Sequence, residues 1–429
     1  MTVTGRAALA ALVGTLVTLL LRSTVALATV DGIILAGIGL DLIRAAGIRQ
    51  LILTRSGDTS ILLGQQGTVL LTIANPGRRP LRGIVRDSWQ PSLRAGDPVR
   101  VAIPAGGQVS VTTKLAPNRR GDKAAGPVTV RSVGPLGLAA RQGSRLVPWT
   151  VRVLPPFLSR RHLPEKLAVL RQIDGQHRSL IRGQGAEFDS LREYVIGDDV
   201  RSIDWRSSAR RAEVVVRTWR PERDRRIVIL LDTGRTSAGR VAGVPRLDSY
   251  LDAALLLTAV AARAGDRADL LAVDRQVRAR VVGANRMQVL ARMTDAMAVL
   301  EPELAESDGG LIASTLLRTA RQRSLIVLLT DLNSAALELG LLPNIPLLAR
   351  RHRLLVAAVA DPRVAEMAAA RGDAVSVYQA AAAQRAEAGR ARLAARLRRA
   401  GVAVIDAPPD RLPSALTDAY LELKSSGQL

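Results

Sequence analysis

The chain has 429 residues, 61 lysines and arginines against 38 aspartates and glutamates, and no cysteine. That length calls for more than one domain, and the missing thiols exclude disulfides, thiolate nucleophiles and cysteine-ligated zinc or iron–sulfur centres. The net charge of +23 is nearly all arginine, lysine occurring only at 114, 123, 166 and 424, and aromatics make up 2% of the chain. So few rings give no stacking surface for bases; attraction to an anionic membrane surface is at least as good a reading, and no specific nucleic-acid partner is expected.

Residues 7–43 carry charge only at Arg22, Asp31 and Asp41. A bilayer core takes roughly 17–25 helical residues per span, so residues 1–46 are expected to form a transmembrane helical hairpin turning between Arg22 and Asp31. The alternatives are a single span or a secretory signal cleaved after the small-residue triplet Ala26-Leu27-Ala28. For a hairpin, Arg6 on one flank and Arg44, Arg49 and Arg55 on the other place both flanks, and the soluble part, in the cytoplasm at the cell membrane.

From 47 to 155 the texture is that of a β-sandwich domain: short β-type runs at 68–73, 99–103, 109–115, 128–133 and 149–154, separated by turns such as Asn75-Pro76-Gly77 and Ala105-Gly106-Gly107. A charged connector occupies 156–225. Over 226–425, apolar runs at 227–231, 268–273, 325–329, 354–359 and 402–405 alternate with helical segments such as 247–264 and 287–300. Strands buried on both faces with helices between them predict an α/β doubly wound parallel sheet. The arginine-studded stretch 378–400 reads as one further helix with a solvated basic face.

Open α/β sheets bind ligands beyond the carboxyl ends of their strands. Three predicted strands end in aspartate, at Asp232, Asp331 and Asp361. Carboxylates so placed suit a hard cation such as Mg²⁺, although capping of the following turn is the plainer role for such aspartates. Around Asp232 the sequence is D-T-G-R-T, which resembles the metal-ion-dependent adhesion motif D-x-S-x-S/T of von Willebrand factor A domains. The resemblance implies a metal site of Asp232, Thr236 and Asp331. Gly234 stands where that family has a hydroxyl ligand, and Ser307 and Asp308 are the nearest candidates for its loop threonine. Gly234 also removes the second carboxylate that a haloacid dehalogenase-type phosphotransferase needs.

The segment 182–226 mixes glycine turns, paired acids and arginines, which by itself says that Arg/Asp pairs knit it together around a buried Trp205. Its order G-x-G-x-E-F-x-x-L-R-x-Y-x-x-G-D-D-x-R-x-I-D-W-x-x-S-A-R resembles the signature of the bacterial family called domain of unknown function 58. The match is carried by Gly183, Gly185, Glu187, Phe188, Leu191, Arg192, Tyr194, Gly197, Asp198, Asp199, Arg201, Ile203, Asp204, Trp205, Ser208, Ala209 and Arg210. The arrangement along the whole chain is similar to the actinobacterial, membrane-anchored members, with a von Willebrand factor A-like domain at the carboxyl end. That resemblance implies a non-enzymatic interaction or adaptor protein that works with a MoxR-type AAA+ ATPase in chaperone-like or envelope-assembly roles. Two competing expectations are an extracytoplasmic metal-dependent adhesion protein, and a metal-dependent hydrolase using Asp198, Asp199 and Asp232.

Overall fold

The computed structural model describes residues 2–180, 187–211, 213–220, 225–332 and 340–429. Two units emerge, Met1–Pro156 and Phe157–Leu429. The first opens with a two-residue strand, β1 (Thr2–Val3), and two apolar helices, α1 (Gly5–Leu21) and α2 (Thr24–Arg44). Arg22, in the left-handed region at φ 47°, ends α1, and the Ser23 side chain accepts the Ala26 N–H to start α2. The helices touch because Gly14 has no side chain: a Cβ there would lie 2.5 Å from Val30 Cγ1. Both leave leucines and valines exposed, Leu20 and Val25 among them. Among the described residues, only the segment Thr24–Gln50 is long and apolar enough to cross a membrane; α1 is an apolar companion of 17 residues.

The strands that follow are β2 (Ile52–Gly57), β3 (Ser60–Leu62), β4 (Gly67–Ala74), β5 (Leu81–Trp89), β6 (Val99–Ile103), β7 (Gln108–Leu115), β8 (Gly121–Val133), β9 (Ala139–Leu146) and β10 (Thr150–Leu154). Sheet β2-β4-β7 faces a seven-stranded sheet built from β1, β3, β5, β6, β8, β9 and β10. Alternate residues point inward, so Leu71, Ile73, Val111, Val85 and Val130 share one core. Strand β5 was not anticipated, because its sequence LRGIVRDSW looks too polar. The Asp87 side chain is nevertheless covered, held by Arg55 at 2.5 Å and by Trp89 Nε1 and Thr113 Oγ1 at 2.9 Å each. A buried charge of this kind survives only when paired and hydrogen-bonded.

The second unit contains α3 (Leu163–Leu180), β11 (Glu187–Glu193), α4 (Trp205–Arg211), β12 (Val215–Arg220), β13 (Arg226–Asp232), α5 (Arg235–Ala238), β14 (Arg240–Val241), β15 (Val244–Pro245), α6 (Arg246–Arg263), β16 (Arg267–Val273), β17 (Val277–Val281), α7 (Val289–Ala298), α8 (Gly309–Thr319), β18 (Leu325–Leu329), α9 (Ile345–Arg351), β19 (Arg353–Val359), α10 (Pro362–Ala369), α11 (Ala374–Arg399), β20 (Ala403–Ala407) and α12 (Leu412–Ser425). Its six-stranded sheet has the order β17-β16-β13-β18-β19-β20, parallel except for the edge strand β17. Each face is covered by helices. Ile227, Ile229 and Leu231 pack toward α6, α7 and α12, whereas Val228 and Leu230 pack toward α8, α9 and α11. Each such side chain contributes about 1.5–3 kcal/mol on full burial. The chain leaves β13 for β16 on one side and later returns as β18 on the other, so strand order reverses at the carboxyl end of β13.

Candidate functional site at the carboxyl edge of the sheet

Asp232 ends β13 at that reversal and is buried. Its Oδ1 accepts the Gly234 N–H at 2.9 Å and the Ser307 hydroxyl at 2.5 Å; its Oδ2 accepts the Thr330 hydroxyl at 2.6 Å. Ser307 is brought there by its loop. Arg235 N–H bonds to Ala305 O, and Asp308 N–H bonds to Asp274 O before the Asp308 carboxylate caps α8. Gly234 leaves the room that Ser307 uses, since a Cβ at 234 would stand 2.2 Å from Ser307 Oγ. Burial pushes the Asp232 carboxyl above the ordinary aspartate value against the pull of its three donors, and the Asp274 charge adds to the rise.

Asp274, just past β16, is also buried and accepts from Thr233 Oγ1, Gln276 N and Arg278 Nε at 2.9, 2.9 and 2.7 Å. Burial would raise its pKa, but these donors, with Arg278 foremost, outweigh it and hold the group below the usual range. Asp331 follows β18. Its Oδ1 takes a 2.6 Å bond from Arg390 of α11, and its Oδ2 lies 3.4 Å from Arg246 of α6. Arg390 also reaches Asp406 and Val359 O, so one guanidinium ties the ends of β18, β19 and β20. Burial works against that charge, but the Asp406 and Asp331 carboxylates raise its pKa further. The buried Tyr250 hydroxyl is pushed upward by burial and by Asp331.

Asp232, Thr236, Ser307 and Thr330 line a small cleft of about 30 Å³, room enough for a water molecule. Glu306 stands at the same cleft and pairs with Arg235. The trio read from sequence is thus brought together only in part. Asp232 and Thr236 meet at the cleft, but Asp331 is turned to two guanidiniums, and its neighbour Thr330 takes the place beside Asp232. Among the described residues no three His, Cys, Asp or Glu side chains gather as a metal site. A cation here would rest on one carboxylate, hydroxyls and water. That donor set fits a hard ion such as Mg²⁺, which keeps much of its hydration, through Asp232, Ser307 and Thr330 and not through Asp331. The third strand-end aspartate, Asp361, caps α10 by accepting the Arg363 N–H.

Sequence reasoning missed Thr330, Asp274, Arg246 and Arg390. The Thr330-Asp331 pair was visible, but which of the two turns inward is decided by the arginines of distant helices.

The signature segment forms its own small unit. Strands β11 and β12 pair antiparallel, Ile203 bridges Val216, and Leu191 lies half-buried opposite Arg217. Asp198 binds Arg192 at 2.5 Å and the Val195 N–H, in a turn where Gly197 has φ 109°. Asp199 accepts the Arg201 N–H. Asp204 caps α4 through Ser207 N–H and pairs with Arg217 at 2.8 Å, while Ser208 donates to Asp204 O and accepts from Val215 N–H. Arginine bonds and amide bonds hold Asp198 and Asp204 below the usual carboxylate range, Arg192 leading for the first and the Ser207 amide for the second. Trp205 corrects the expectation of a buried ring: it is 69% exposed. Glu187 and Phe188 lie on β11 opposite Arg220 and Trp219, Tyr194 N–H bonds to Val214 O, and Arg201, Ala209 and Arg210 are exposed. Gly183 and Gly185 lie outside the described residues. Among the described residues no hydrogen bond or ion pair joins Asp198 or Asp199 to Asp232.

An α/β protein with a polar site at the switch point of its sheet is thus defined. Residues 190–403 match the family described as "Protein of unknown function DUF58". Uncharacterized proteins of Mycobacterium tuberculosis and Mycobacterium bovis are 26% identical over 208 residues, covering 47% of this chain and 65% of theirs. The match therefore spans just under two-thirds of the relatives' length. Among solved structures, a CARDB domain from Pyrococcus furiosus aligns with 24% of this chain and 86% of its own at 13% identity and TM-score 0.19. A FixG-related protein from Vibrio parahaemolyticus aligns with 24% of this chain and 96% of its own at 7% identity, also with TM-score 0.19. Scores this low carry no argument about fold or function.

Proposed function

We propose that this protein is a membrane-anchored, non-enzymatic interaction protein whose α/β domain binds a partner at the carboxyl edge of its sheet. The observation that carries the reading is the position of Asp232, a buried carboxylate gripped by Ser307, Thr330 and Gly234 N–H at the reversal of strand order, where open α/β sheets bind ligands. The strand order, with an antiparallel edge, and the carboxylate-and-hydroxyl cleft support a von Willebrand factor A-like domain. Mg²⁺ held by Asp232, Ser307 and Thr330 would give the edge a charge for an acidic partner group to complete. The resemblance of the signature segment points to a MoxR-type AAA+ ATPase as that partner, which requires the α/β domain on the cytoplasmic side.

The test is affinity purification of the full-length protein from its native membranes, with Mg²⁺ and a non-hydrolysable ATP analogue, followed by identification of co-purifying proteins. The expected result is a MoxR-type ATPase captured by the wild type and lost with Asp232→Asn, a near-isosteric change that leaves Thr330 free to reverse its hydrogen bond. Absence of such an ATPase under every nucleotide condition, or protease accessibility of the α/β domain from outside the cell, overturns the reading. Mg²⁺ is expected to raise the wild-type melting temperature, by about 2.7 kcal/mol of stability at a hundredfold excess over its dissociation constant, and to leave Asp232→Asn unmoved.

A further inference from the structure

Residues 195–205 connect the end of β11 to the first residue of α4, between the two strands of the signature unit, and present apolar side chains to solvent. Ile196 is 96% exposed, Trp205 69%, Val200 62% and Val195 60%. The acids of the same stretch are spoken for: Asp198 by Arg192 and an amide, Asp199 by the turn it caps, Asp204 by Arg217 and the start of α4. The arginines of the loop and of the adjoining α4 are not: Arg201, Arg206 and Arg210 are exposed and have no ion-pair partner among the described residues. The loop surface therefore combines exposed apolar side chains with exposed arginines, while Asp198 and Asp204 are drawn onto Arg192 and Arg217 and Asp199 stays exposed.

We propose that this loop is a second membrane contact, its Ile196 and Trp205 entering the headgroup layer of an anionic bilayer while Arg201, Arg206 and Arg210 meet lipid phosphates. Tryptophan and branched aliphatic side chains flanked by arginine suit the boundary between headgroups and acyl chains. A loop this short is a poor platform for a stable protein interface, which needs about 800 Å² from each partner. Insertion of a few side chains needs far less, because tethering by the apolar helix of the same chain raises the loop's effective concentration at the bilayer. The inference rests on the reading of Thr24–Gln50 as a membrane anchor.

The chain has no cysteine, so single labels can be placed at will. Full-length protein carrying an environment-sensitive dye at Ile196→Cys, or at Leu27→Cys on α2 as the anchor control, is reconstituted into vesicles of phosphatidylcholine alone or mixed with phosphatidylglycerol. Each set also contains a nitroxide-bearing lipid as quencher. The expected result is quenching at Leu27 in both vesicles and at Ile196 only in the anionic ones. The ratio of bound to free loop should fall on the order of fivefold for each of the three arginines changed to glutamine, about 1 kcal/mol apiece. Quenching at Leu27 with none at Ile196 in either vesicle overturns the loop contact and leaves the anchor standing. A dye at Ile196 that is shielded from water but not quenched marks a protein docking surface and also overturns it. Equal quenching in neutral vesicles removes the role of the arginines, and no quenching at either position fells the anchor and the loop contact together.

Discussion

At Asp232 a single missing side chain decides the geometry. Gly234 has an ordinary backbone conformation, so its value is space: Ser307 occupies the volume that a Cβ would claim. Gly234→Ser, which restores the hydroxyl of the D-x-S-x-S/T pattern, is expected to expel Ser307 and destabilise the domain, and Ser307→Gly in the same chain to recover part of the loss. Chemical denaturation of the two single variants and the double variant should give a coupling of about 0.5–3 kcal/mol. Asp198 and Asp204 make a pH prediction for the signature unit. Their folded-state pKa values lie below the ordinary aspartate value of 3.8, so their stabilisation is present above it and is lost as pH falls through the depressed values. Hydrogen exchange at the Val195 and Ser207 amides, corrected for intrinsic rates, should rise over that acid interval in the wild type. In Asp204→Asn the Ser207 amide should exchange faster already at neutral pH.

Elements are fixed to the sheet by a few buried charges. Helix α11 is joined to three strand ends by Arg390, and Arg390→Ala is expected to cost about 3–5 kcal/mol, the range for stripping a partner from a buried carboxylate. Exchange protection should fall first in residues 374–399. Helix α12 is fixed by Lys424, whose ammonium lies 2.9 Å from both oxygens of Asp266, itself bonded to Tyr420. Lys424→Met should be destabilising on a similar scale, and Lys424→Met with Asp266→Asn should recover much of the loss in an equilibrium unfolding measurement. These fixtures mark where the sequence was readable. The apolar runs at 227–231, 268–273, 325–329 and 354–359 lie within strands, since a strand buried on both faces leaves an uninterrupted signal. Strands β5 and β9 escaped because their arginines, Asp87 and the glycines hide the alternation. At the candidate site Asp232 and Thr236 were legible from the motif, whereas the inward turn of Thr330 and the capture of Asp331 depend on arginines of helices far away in sequence, Arg390 lying 59 residues beyond Asp331. Trp205 was misjudged because composition says how apolar a ring is and nothing about whether a neighbouring element covers it.

Across the first unit, the two apolar helices are joined to the sandwich at both ends. Thr2 and Val3 pair with Ala140 and Ala139, and the buried Asp41 near the end of α2 accepts the amides of Leu136, Leu138 and Ala139 at 2.7, 2.6 and 3.0 Å. Asp41→Ala should cost about 1–3 kcal/mol for each donor that stays dry, and exchange at those three amides should accelerate. Removing residues 5–44 should move the protein from the membrane to the soluble fraction in a sedimentation assay. The double attachment has a mechanical side. The loop that receives Asp41 is the one that leads into β9, where β1 is also zipped, so both helices end on one short stretch of backbone. A pull on the sandwich is divided between two lines of attachment, one through a strand pairing and one through a carboxylate. The helix pair is therefore a clamped post that carries bending and twisting loads, where a single flexible leash would transmit only tension.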